Sequence, residues 1–201
     1  MIGAVILAGG AGNRIGGDKP LIDFRGKKLI NYVIDAASSV SDEIIVVVDE
    51  DEEQKFKAIV PEDVDVTVDL MSGGGPLIGL YSGLRQIRYE YAVALPCDSP
   101  FLNLEVLRCL LCEARGVDAV IPQWPNGYIE PLHSIYRVSA ALRCSEEALD
   151  EGKLRIHDMI DRLEKPRFVS VESLREFDPE LLTFFNINSP EDLMKAEAII
   201  K

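Results

Sequence analysis

The chain has 201 residues, of which 47% are hydrophobic, so it can bury one substantial core but is too short for two large independent domains. Its formal net charge of −13 disfavours binding to nucleic acid, because affinity for the phosphate backbone comes mainly from Lys and Arg. The longest apolar run near the N-terminus, residues 4–8, is far below the roughly 20 residues that span a bilayer, and no basic segment precedes it. We therefore expect one cytoplasmic domain that binds neither nucleic acid nor membrane.

Apolar, β-branched runs alternate with segments of helical periodicity along the first part of the chain. The predicted strands are 2–8, 43–48, 64–68, 91–95 and 119–122, and the predicted helices are 29–40, 54–59, 77–89 and 104–115. Strands and helices that alternate in this way form a mostly parallel central sheet with helices on both faces. The predicted fold class is therefore α/β, a three-layer Rossmann-like domain.

The pattern changes after residue 122, where Trp124 to Gly127 is rich in turn-forming residues. The remaining predicted strands are 132–136 and 167–171, and the remaining predicted helices are 139–151, 156–163 and 190–200. Ser189 stands at the N-cap of the last helix and Pro190 at its first position. We predict that the second part of the chain forms a substrate-side subregion of the same domain.

The four cysteines are not expected to form a disulfide framework, because no secretory signal precedes them. Cys109 and Cys112 form a CxxC pair inside a predicted apolar helix, but no second Cys or His pair stands at zinc-site spacing. We therefore expect buried thiols.

The strongest indication of chemistry is the glycine-rich segment LAGGAGNRIGGDKP, from Leu7 to Pro20, which follows the first predicted strand. Glycines allow positive φ and expose successive N–H groups that can surround an anion, while Arg14 and Lys19 add positive charge. Residues 14–28 contain five basic and two acidic residues, among them Arg25, Lys27 and Lys28. The segment has neither the GK[ST] ending of a P-loop nor GxGxxG spacing, which argues against ATPase and dinucleotide motifs.

This segment resembles the LAGGxxxRxGxDK signature of sugar-phosphate-type nucleotidyltransferases, and it is most similar to that of the molybdenum cofactor guanylyltransferases. The matching residues are Arg14, Gly16, Asp18 and Lys19. The resemblance implies a fold of the nucleotide-diphospho-sugar transferase type, in which the loop holds a triphosphate and the backbone after the first strand reads the base. It implies catalytic roles for Arg14 and Lys19 and nucleotide contacts at Leu7, Ala8, Gly9, Gly10 and Lys19.

Asp98 stands just beyond the predicted strand 91–95, at the place where open α/β sheets bind ligands. An Asp before Ser-Pro is ordinarily a turn residue or a helix cap. Asp98 also matches the metal-binding aspartate of the family's CDxP segment, and Mg²⁺ favours one or two carboxylates together with substrate phosphates. The resemblance therefore implies that Asp98 binds Mg²⁺, contacts the nucleotide and takes part in catalysis.

Asp69 and the following GGGPLIG, residues 73–79, resemble the family's D…GPLxG element, in which the aspartate contacts the nucleotide. A carboxylate can accept hydrogen bonds from the N1–H and the exocyclic amine of guanine, which adenine does not offer. Asp69 is the preferred candidate. Asp49 is a weaker one, because it begins the acidic run 49–53, which is typical of a solvated surface.

Two further segments extend the resemblance to the second part of the chain. Glu130 and Pro131 match an EPL-type segment near the pterin, and Asn186 and Asn188 match an NxN[ST]P element. The two asparagines alternate with apolar residues, so their side chains point to one side if the segment is extended. They can orient phosphate or complete a metal shell, although Asn188 can alternatively support the following helix cap. We assign Glu130, Pro131, Asn186 and Asn188 to the acceptor site.

The two histidines, His133 and His157, receive no catalytic role, because no serine or cysteine stands at a motif spacing that suggests acyl chemistry. We expect His133 to line the acceptor site and His157 to lie at the surface or in packing.

The resemblance covers nearly the whole chain and implies transfer of GMP from GTP to the phosphate of molybdopterin or the molybdenum cofactor, with Mg²⁺ as cofactor and release of pyrophosphate. Within the single domain 1–201, residues 1–122 would mainly bind nucleotide and residues 123–201 mainly bind acceptor. Transient contacts with molybdoenzymes or their chaperones are expected. Two alternatives remain, a related transferase that uses CTP or UTP on a sugar- or alcohol-phosphate acceptor, and a nucleotide-binding regulator without turnover.

Overall fold

The computed structural model describes residues 1–9, 19–70 and 74–200. Its strands are β1 (Gly3–Leu7), β2 (Asp23–Phe24), β3 (Lys27–Lys28), β4 (Glu43–Val48), β5 (Asp65–Val68), β6 (Tyr91–Pro96), β7 (Ala119–Gln123), β8 (Ser134–Arg137) and β9 (Pro166–Ser170). Its α-helices are α1 (Leu29–Ser38), α2 (Glu53–Lys57), α3 (Pro76–Leu84), α4 (Leu104–Cys112), α5 (Val138–Asp150), α6 (Ile156–Ile160) and α7 (Pro190–Ile199). Each predicted helix and strand is confirmed, whereas the two-residue strands β2 and β3 were not predicted.

One sheet contains seven of these strands in the order β5-β4-β1-β6-β8-β7-β9. Neighbouring strands are parallel except where β8 runs antiparallel to both β6 and β7. The connection from β7 to β8 contains no α-helix, and a parallel crossover usually needs a dozen residues or more with a helix, so β8 returns antiparallel. The predicted, mostly parallel sheet is confirmed.

Alternate residues of the strands enter two separate cores, one on each face of the sheet. In β1, Ala4 and Ile6 pack in the core that also contains residues of α1, α2 and α4. Val5, between them, packs in the core that contains residues of α3, α5 and α6. The three-layer arrangement with helices on both faces is therefore confirmed.

A third apolar cluster packs the C-terminal segment of the chain against the β2–β3 ribbon. Phe24, Leu29, Ile187 and Ala196 are buried in it, and the last two residues lie just before and inside α7. The amide of Ile187 also donates to the carbonyl of Asp98 at 3.0 Å. The cluster thus brings the segment around residue 187 next to the end of β6.

Two details differ from the predictions. Helix α3 ends at Leu84 rather than at residue 89, because the following residues form short turn hydrogen bonds, such as that from the amide of Ile87 to the carbonyl of Leu84. Cys112 is exposed, since the buried face of α4 is formed by other positions, whereas Cys97 and Cys144 are buried; all four thiols are free. Among the described residues, no helix has both the length and the apolar character needed to cross a membrane.

Helix α3 lies against β1 and β4 with no room for a side chain at Gly83. A Cβ atom there would lie 2.4 Å from Cγ1 of Val5 and 2.8 Å from Cγ2 of Val47. We expect Gly83→Ala to lower the free energy of unfolding by about 1 to 3 kcal/mol, because overpacking outweighs the better helix propensity of Ala. Urea denaturation measures this loss. In a Val5→Ala background the same substitution should cost clearly less, and an equal cost in both backgrounds would contradict the steric explanation.

Candidate active site

Four segments meet at the carboxyl-terminal edge of the parallel strands, where open α/β sheets bind ligands. Gly9 follows β1, Asp49 follows β4, Asp69 follows β5 and Asp98 follows β6. Because the strand order here is β5-β4-β1-β6, these residues lie side by side in the order Asp69, Asp49, Gly9, Asp98. The sheet therefore brings residues from separate sequence motifs to one edge.

Lys19 brings positive charge to this edge. It begins a short 3-10 turn, Lys19–Leu21, and its ammonium group donates to Oδ2 of Asp98 and, at 2.6 Å, to Oδ1 of Asn188. The side chains of Lys19 and Asp98 are only 16% and 10% exposed, so water screens their attraction poorly. Three residues that were assigned to different parts of the site thus form one contact.

One carboxylate oxygen of Asp98 has no hydrogen-bond partner in the part of the chain that the structure describes. Oδ2 accepts from Lys19, whereas Oδ1 is buried and accepts no hydrogen bond from the described residues. Within residues 1–9, 19–70 and 74–200, no three His, Cys, Asp or Glu side chains group together as metal ligands. Mg²⁺ needs only one or two carboxylates when substrate phosphates provide other oxygens, so a single carboxylate with an unoccupied buried oxygen fits this ion.

Ser99, the next residue, is completely buried and links two further regions of the chain. Its hydroxyl contacts Oδ1 of Asn186, and its Oγ lies 3.2 Å from Nε2 of His133. His133 ends the turn Pro131–His133 and is 1% exposed. Burial lowers its pKa to about 3, although a hydrogen bond with the backbone of Thr183 opposes this shift. The imidazole is therefore neutral at physiological pH.

Glu130 lies on the far side of His133 from Ser99. Its Oε1 accepts the indole N–H of Trp124 at 2.7 Å, and its Oε2 lies 3.9 Å from Nδ1 of His133. Burial raises the pKa of Glu130, and the hydrogen bond from Trp124 acts in the opposite direction. The ring of Phe184 covers this side, with its centroid 5.8 Å from that of Trp124 and 5.2 Å from that of His133. The predicted acceptor residue Glu130 is thus adjacent to the buried groups around Ser99.

The carboxylates at the other end of the edge are Asp69 and Asp49. Oδ1 of Asp69 is buried and has no hydrogen-bond partner among the described residues, and burial, helped by repulsion from Asp49, raises the pKa of Asp69 to about 6. The missing side chain of Gly79 leaves room here, because a Cβ atom there would lie 3.3 Å from Oδ1 of Asp69. Asp49 Oδ1 would lie 2.9 Å from a Cβ atom on Gly9. Asp49 is therefore half-buried beside Gly9 at the strand edge, whereas the following Glu50 and Asp51 are exposed, and a nucleotide contact of Asp49 stays a prediction.

Two backbone amides that follow β1 form hydrogen bonds with the neighbouring strand β4. The amides of Ala8 and Gly9 both donate to the carbonyl of Val47, at 2.8 and 3.1 Å. These two amides are therefore not part of an anion cradle, and nucleotide contacts of Leu7, Ala8 and Gly9 through other atoms stay a prediction.

The predicted concentration of positive charge is only partly found at the site. The guanidinium of Arg25 donates to a backbone carbonyl in α7, and the ammonium of Lys27 pairs with a carboxylate in α1. Among the described residues of this basic segment, Lys19 alone contacts Asp98 and Asn188. Gly10 and Arg14 lie outside the described residues, so their phosphate-binding roles stay predictions.

The sequence also matches a known family over most of its length. A family model described as MobA-like NTP transferase domain matches residues 4–166. This chain belongs to the MobA-like NTP transferase family. A relative in Methanosarcina mazei, named probable molybdenum cofactor guanylyltransferase, is 36% identical and the alignment covers 94% of this chain and 87% of that protein. One with the same name in Methanocaldococcus jannaschii is 35% identical, with 98% of both chains covered.

Solved structures of two other proteins share the fold. The molybdopterin-guanine dinucleotide biosynthesis protein A of Archaeoglobus fulgidus superposes with a TM-score of 0.84 at 36% identity, over 99% of this chain and 98% of that one. The 4-diphosphocytidyl-2C-methyl-D-erythritol synthase of Anaerococcus prevotii has a TM-score of 0.72 at 20% identity, over 99% and 95% of the chains, which shows the fold alone. The resemblance and the predicted type of fold are confirmed. As a member of the MobA-like NTP transferase family, the chain is a nucleotidyltransferase.

Sequence reasoning missed part of this site. It gave no role to Ser99 or Trp124, and it gave His133 only a place near the acceptor. Ser99 had one signal, its position directly after Asp98. The contact between Ser99 and His133 joins residues 34 positions apart, so no local pattern could have predicted it.

Asp69 should make the folded state less stable when it ionises. Its pKa of about 6 in the folded state exceeds the ordinary 3.8, so the folded protein holds this proton more tightly and stability should fall as pH rises from about 4 to about 6. Asp69→Asn cannot ionise and should gain about 1 kcal/mol over the native sequence across that range. This is less than the roughly 3 kcal/mol of the full shift, because solvent screens the half-exposed carboxylate.

Urea denaturation at a series of pH values measures the effect. Asp49→Asn is the matched control, because it removes the repulsion but leaves Asp69 ionisable, so a smaller decline should remain. Parallel stability curves for the native sequence and Asp69→Asn would contradict the assignment.

Proposed function

We propose that this chain transfers GMP from GTP to the phosphate of molybdopterin or the molybdenum cofactor and releases pyrophosphate. The observation that carries the proposal is the convergence of Lys19, Asp98 and Asn188 at the strand edge. It brings together an ammonium group, an amide and a carboxylate with one oxygen that has no partner among the described residues, and such groups can bind a triphosphate together with a divalent cation. The identity of the substrates is inferred from the relatives in Methanosarcina mazei and Methanocaldococcus jannaschii, which are named as probable guanylyltransferases for this cofactor.

In the proposed reaction, an oxygen of the acceptor phosphate attacks the α-phosphorus of GTP in line. A new P–O bond forms, the bond from the α-phosphorus to the bridging oxygen of the β-phosphate breaks, and pyrophosphate leaves with the bonding electrons. The acceptor phosphate is already anionic, so positioning and charge neutralisation provide most of the acceleration, and no protein nucleophile is needed. Lys19, with Arg14, would steady the departing pyrophosphate.

Asp98 is proposed to hold Mg²⁺ through its carboxylate together with phosphate oxygens of the substrates. When bound, this ion neutralises negative charge on the triphosphate. The amide oxygen of Asn188 is a second oxygen ligand of the kind that Mg²⁺ accepts, and it lies on the same ammonium group as Asp98.

Asp69 is proposed to recognise the guanine base. A buried acceptor without a donor is costly, and Oδ1 of Asp69 is such an acceptor among the described residues. Guanine offers a pair of donors, N1–H and the exocyclic amine, which other bases do not present together. Asp49, which faces Gly9, is the second carboxylate within this region.

The acceptor is proposed to lie on the side of Asp98 that carries Glu130 and Asn186. The carbonyl of Pro131 already accepts the hydroxyl of Tyr136 at 2.8 Å, so an acceptor contact of Pro131 would use its ring. The division into a nucleotide-binding part, 1–122, and an acceptor-binding part, 123–201, belongs to this proposal. So do a cytoplasmic location and transient contacts with molybdoenzymes or their chaperones.

Asp98→Ala should reduce guanylyl transfer by several orders of magnitude, since a metal-bound carboxylate contributes on the order of several kcal/mol to the transition state. Pyrophosphate release in the presence of GTP, Mg²⁺ and molybdopterin measures the rate. Asp35→Ala is the matched control, because it also removes an aspartate–lysine ion pair, the one with Lys27, but away from the strand edge. Near-normal turnover of Asp98→Ala would remove the metal assignment.

GTP should raise the melting temperature more than ATP, CTP or UTP in the presence of Mg²⁺, because a ligand that prefers the native state stabilises it. ITP, which lacks the exocyclic amine, should raise it less than GTP, and Asp69→Asn should reduce this difference. A larger shift with CTP or UTP would instead indicate the related transferase. Binding of GTP without pyrophosphate release in the presence of acceptor would indicate the non-catalytic regulator.

A further inference from the structure

The half-buried side chain of Asn186 is linked to two buried polar residues, Ser99 and His133, to which the proposed function gives no substrate contact. Its Oδ1 accepts from the hydroxyl of Ser99, and Oγ of Ser99 lies 3.2 Å from Nε2 of His133. Ser99 is completely buried and His133 is 1% exposed. Buried polar groups are costly unless they are hydrogen-bonded. We therefore expect each contact between these side chains to pair one donor with one acceptor.

The hydrogen atoms in these contacts can be assigned from what each group is able to donate. Oδ1 of Asn186 only accepts, so the one hydroxyl hydrogen of Ser99 is donated to it. The oxygen of Ser99 then accepts from His133, which places the imidazole hydrogen on Nε2. Burial lowers the pKa of His133 to about 3 against an opposing hydrogen bond with the backbone of Thr183, so the ring carries a single hydrogen. Its buried Nδ1 has no partner of good hydrogen-bond geometry among the described residues, so we place the hydrogen on Nε2. Donation therefore runs from His133 to Ser99 to Asn186.

The same assignment argues against Ser99 as a nucleophile. The order Glu130, His133, Ser99 is similar to an acid–base–nucleophile triad, in which the histidine removes the serine proton. In the tautomer assigned above, Nε2 carries the ring hydrogen and the serine hydroxyl donates to Asn186, so His133 does not accept the serine proton. Ser99 and His133 can therefore act by positioning another group.

We propose that Ser99 and His133 are positioning residues that fix the side-chain amide of Asn186 with its NH₂ group turned toward the phosphate oxygens of the reacting substrates, an inference that rests on the proposed function. With Oδ1 held by Ser99, the two N–H groups of the amide remain for a ligand. Donors fixed before the reaction stabilise negative charge on phosphate without reorganisation. The backbone is fixed as well, because the amide of Ile187 donates to the carbonyl of Asp98.

The role predicts how substitutions combine. Ser99→Ala lets the amide turn over and present its oxygen to phosphate, so we expect kcat to fall about 100-fold, as for a misplaced reacting group, with little change in KM for GTP. Because Ser99 acts through Asn186, the double variant Ser99→Ala, Asn186→Ala should be no slower than Asn186→Ala alone. Ser145→Ala is the control and should leave kcat unchanged, because it removes a buried hydroxyl in α5 that has no hydrogen-bond partner among the described residues. Losses that multiply in the double variant would overturn the proposal.

His133 offers a conservative rescue. His133→Gln retains an N–H donor near the position of Nε2 and should keep much more activity than His133→Leu, which has no donor. Equal losses in the two variants would overturn the proposal.

A measurement without turnover keeps the two proposals separate. Nitrogen chemical shifts of His133 should report the hydrogen on Nε2, and the side-chain amide signals of Asn186, identified by their loss in Asn186→Ala, should move in Ser99→Ala but not in Ser145→Ala. A hydrogen on Nδ1, or amide signals that do not move, would overturn the positioning role even in an active enzyme. The expected signals in a protein that transfers no GMP would support the positioning role and reject the proposed function.

Discussion

The ammonium group of Lys19 joins the parts of the chain on which the site depends. One contact is with Asp98, which follows β6, and the other is with Asn188, which precedes α7. The attraction of a poorly exposed ion pair is largely offset by the desolvation of its two charges, so we attribute little of the stability of the fold to this contact. The contact mainly determines geometry, because it fixes the side chains of Lys19, Asp98 and Asn188 relative to one another, although they belong to separate segments of the chain.

The segment from Asn186 to Asn188 shows how one short stretch serves both packing and chemistry. Ile187 is buried in the cluster that fastens α7, and its amide donates to the carbonyl of Asp98. The neighbouring amides then reach Ser99 on one side and Lys19 on the other. Of the two interpretations of Asn188, support of the helix cap is confirmed, because its backbone amide donates at 3.2 Å to the carboxylate of Asp192 in the first turn of α7. Its role with phosphate or a metal ion stays a prediction. A change in the packing of α7 would therefore alter the contact of Asn188 with Lys19 and that of Asn186 with Ser99.

The fold could be predicted from sequence to the extent that its elements are long and periodic. The strands of the sheet and the α-helices have at least four residues each and an apolar pattern, whereas β2 and β3 are two residues long and carry no periodicity. The direction of β8 follows from its short connection to β7 rather than from its own residues. At the site, the motifs identified Asp98 and Lys19, and the rule for open sheets explains why they meet. The link from Ser99 to His133 depends on burial and long-range packing, which composition does not encode, and the same is true of Asp49 beside Gly9.

Two buried carboxylate oxygens, Oδ1 of Asp69 and Oδ1 of Asp98, have no hydrogen-bond partner among the described residues. Leaving a buried acceptor unsatisfied costs about 1 to 3 kcal/mol. A ligand that donates hydrogen bonds to both oxygens would therefore stabilise the folded protein. Asp69 follows β5 and Asp98 follows β6, with β4 and β1 between them. Three strand spacings separate the two residues by roughly 14 Å, which is comparable with the length of an extended nucleoside triphosphate. In the proposed reaction, this strand order would orient the nucleotide with its base at Asp69 and its phosphates at Asp98 and Lys19, and we expect the acceptor to approach from the side of Glu130 and Asn186.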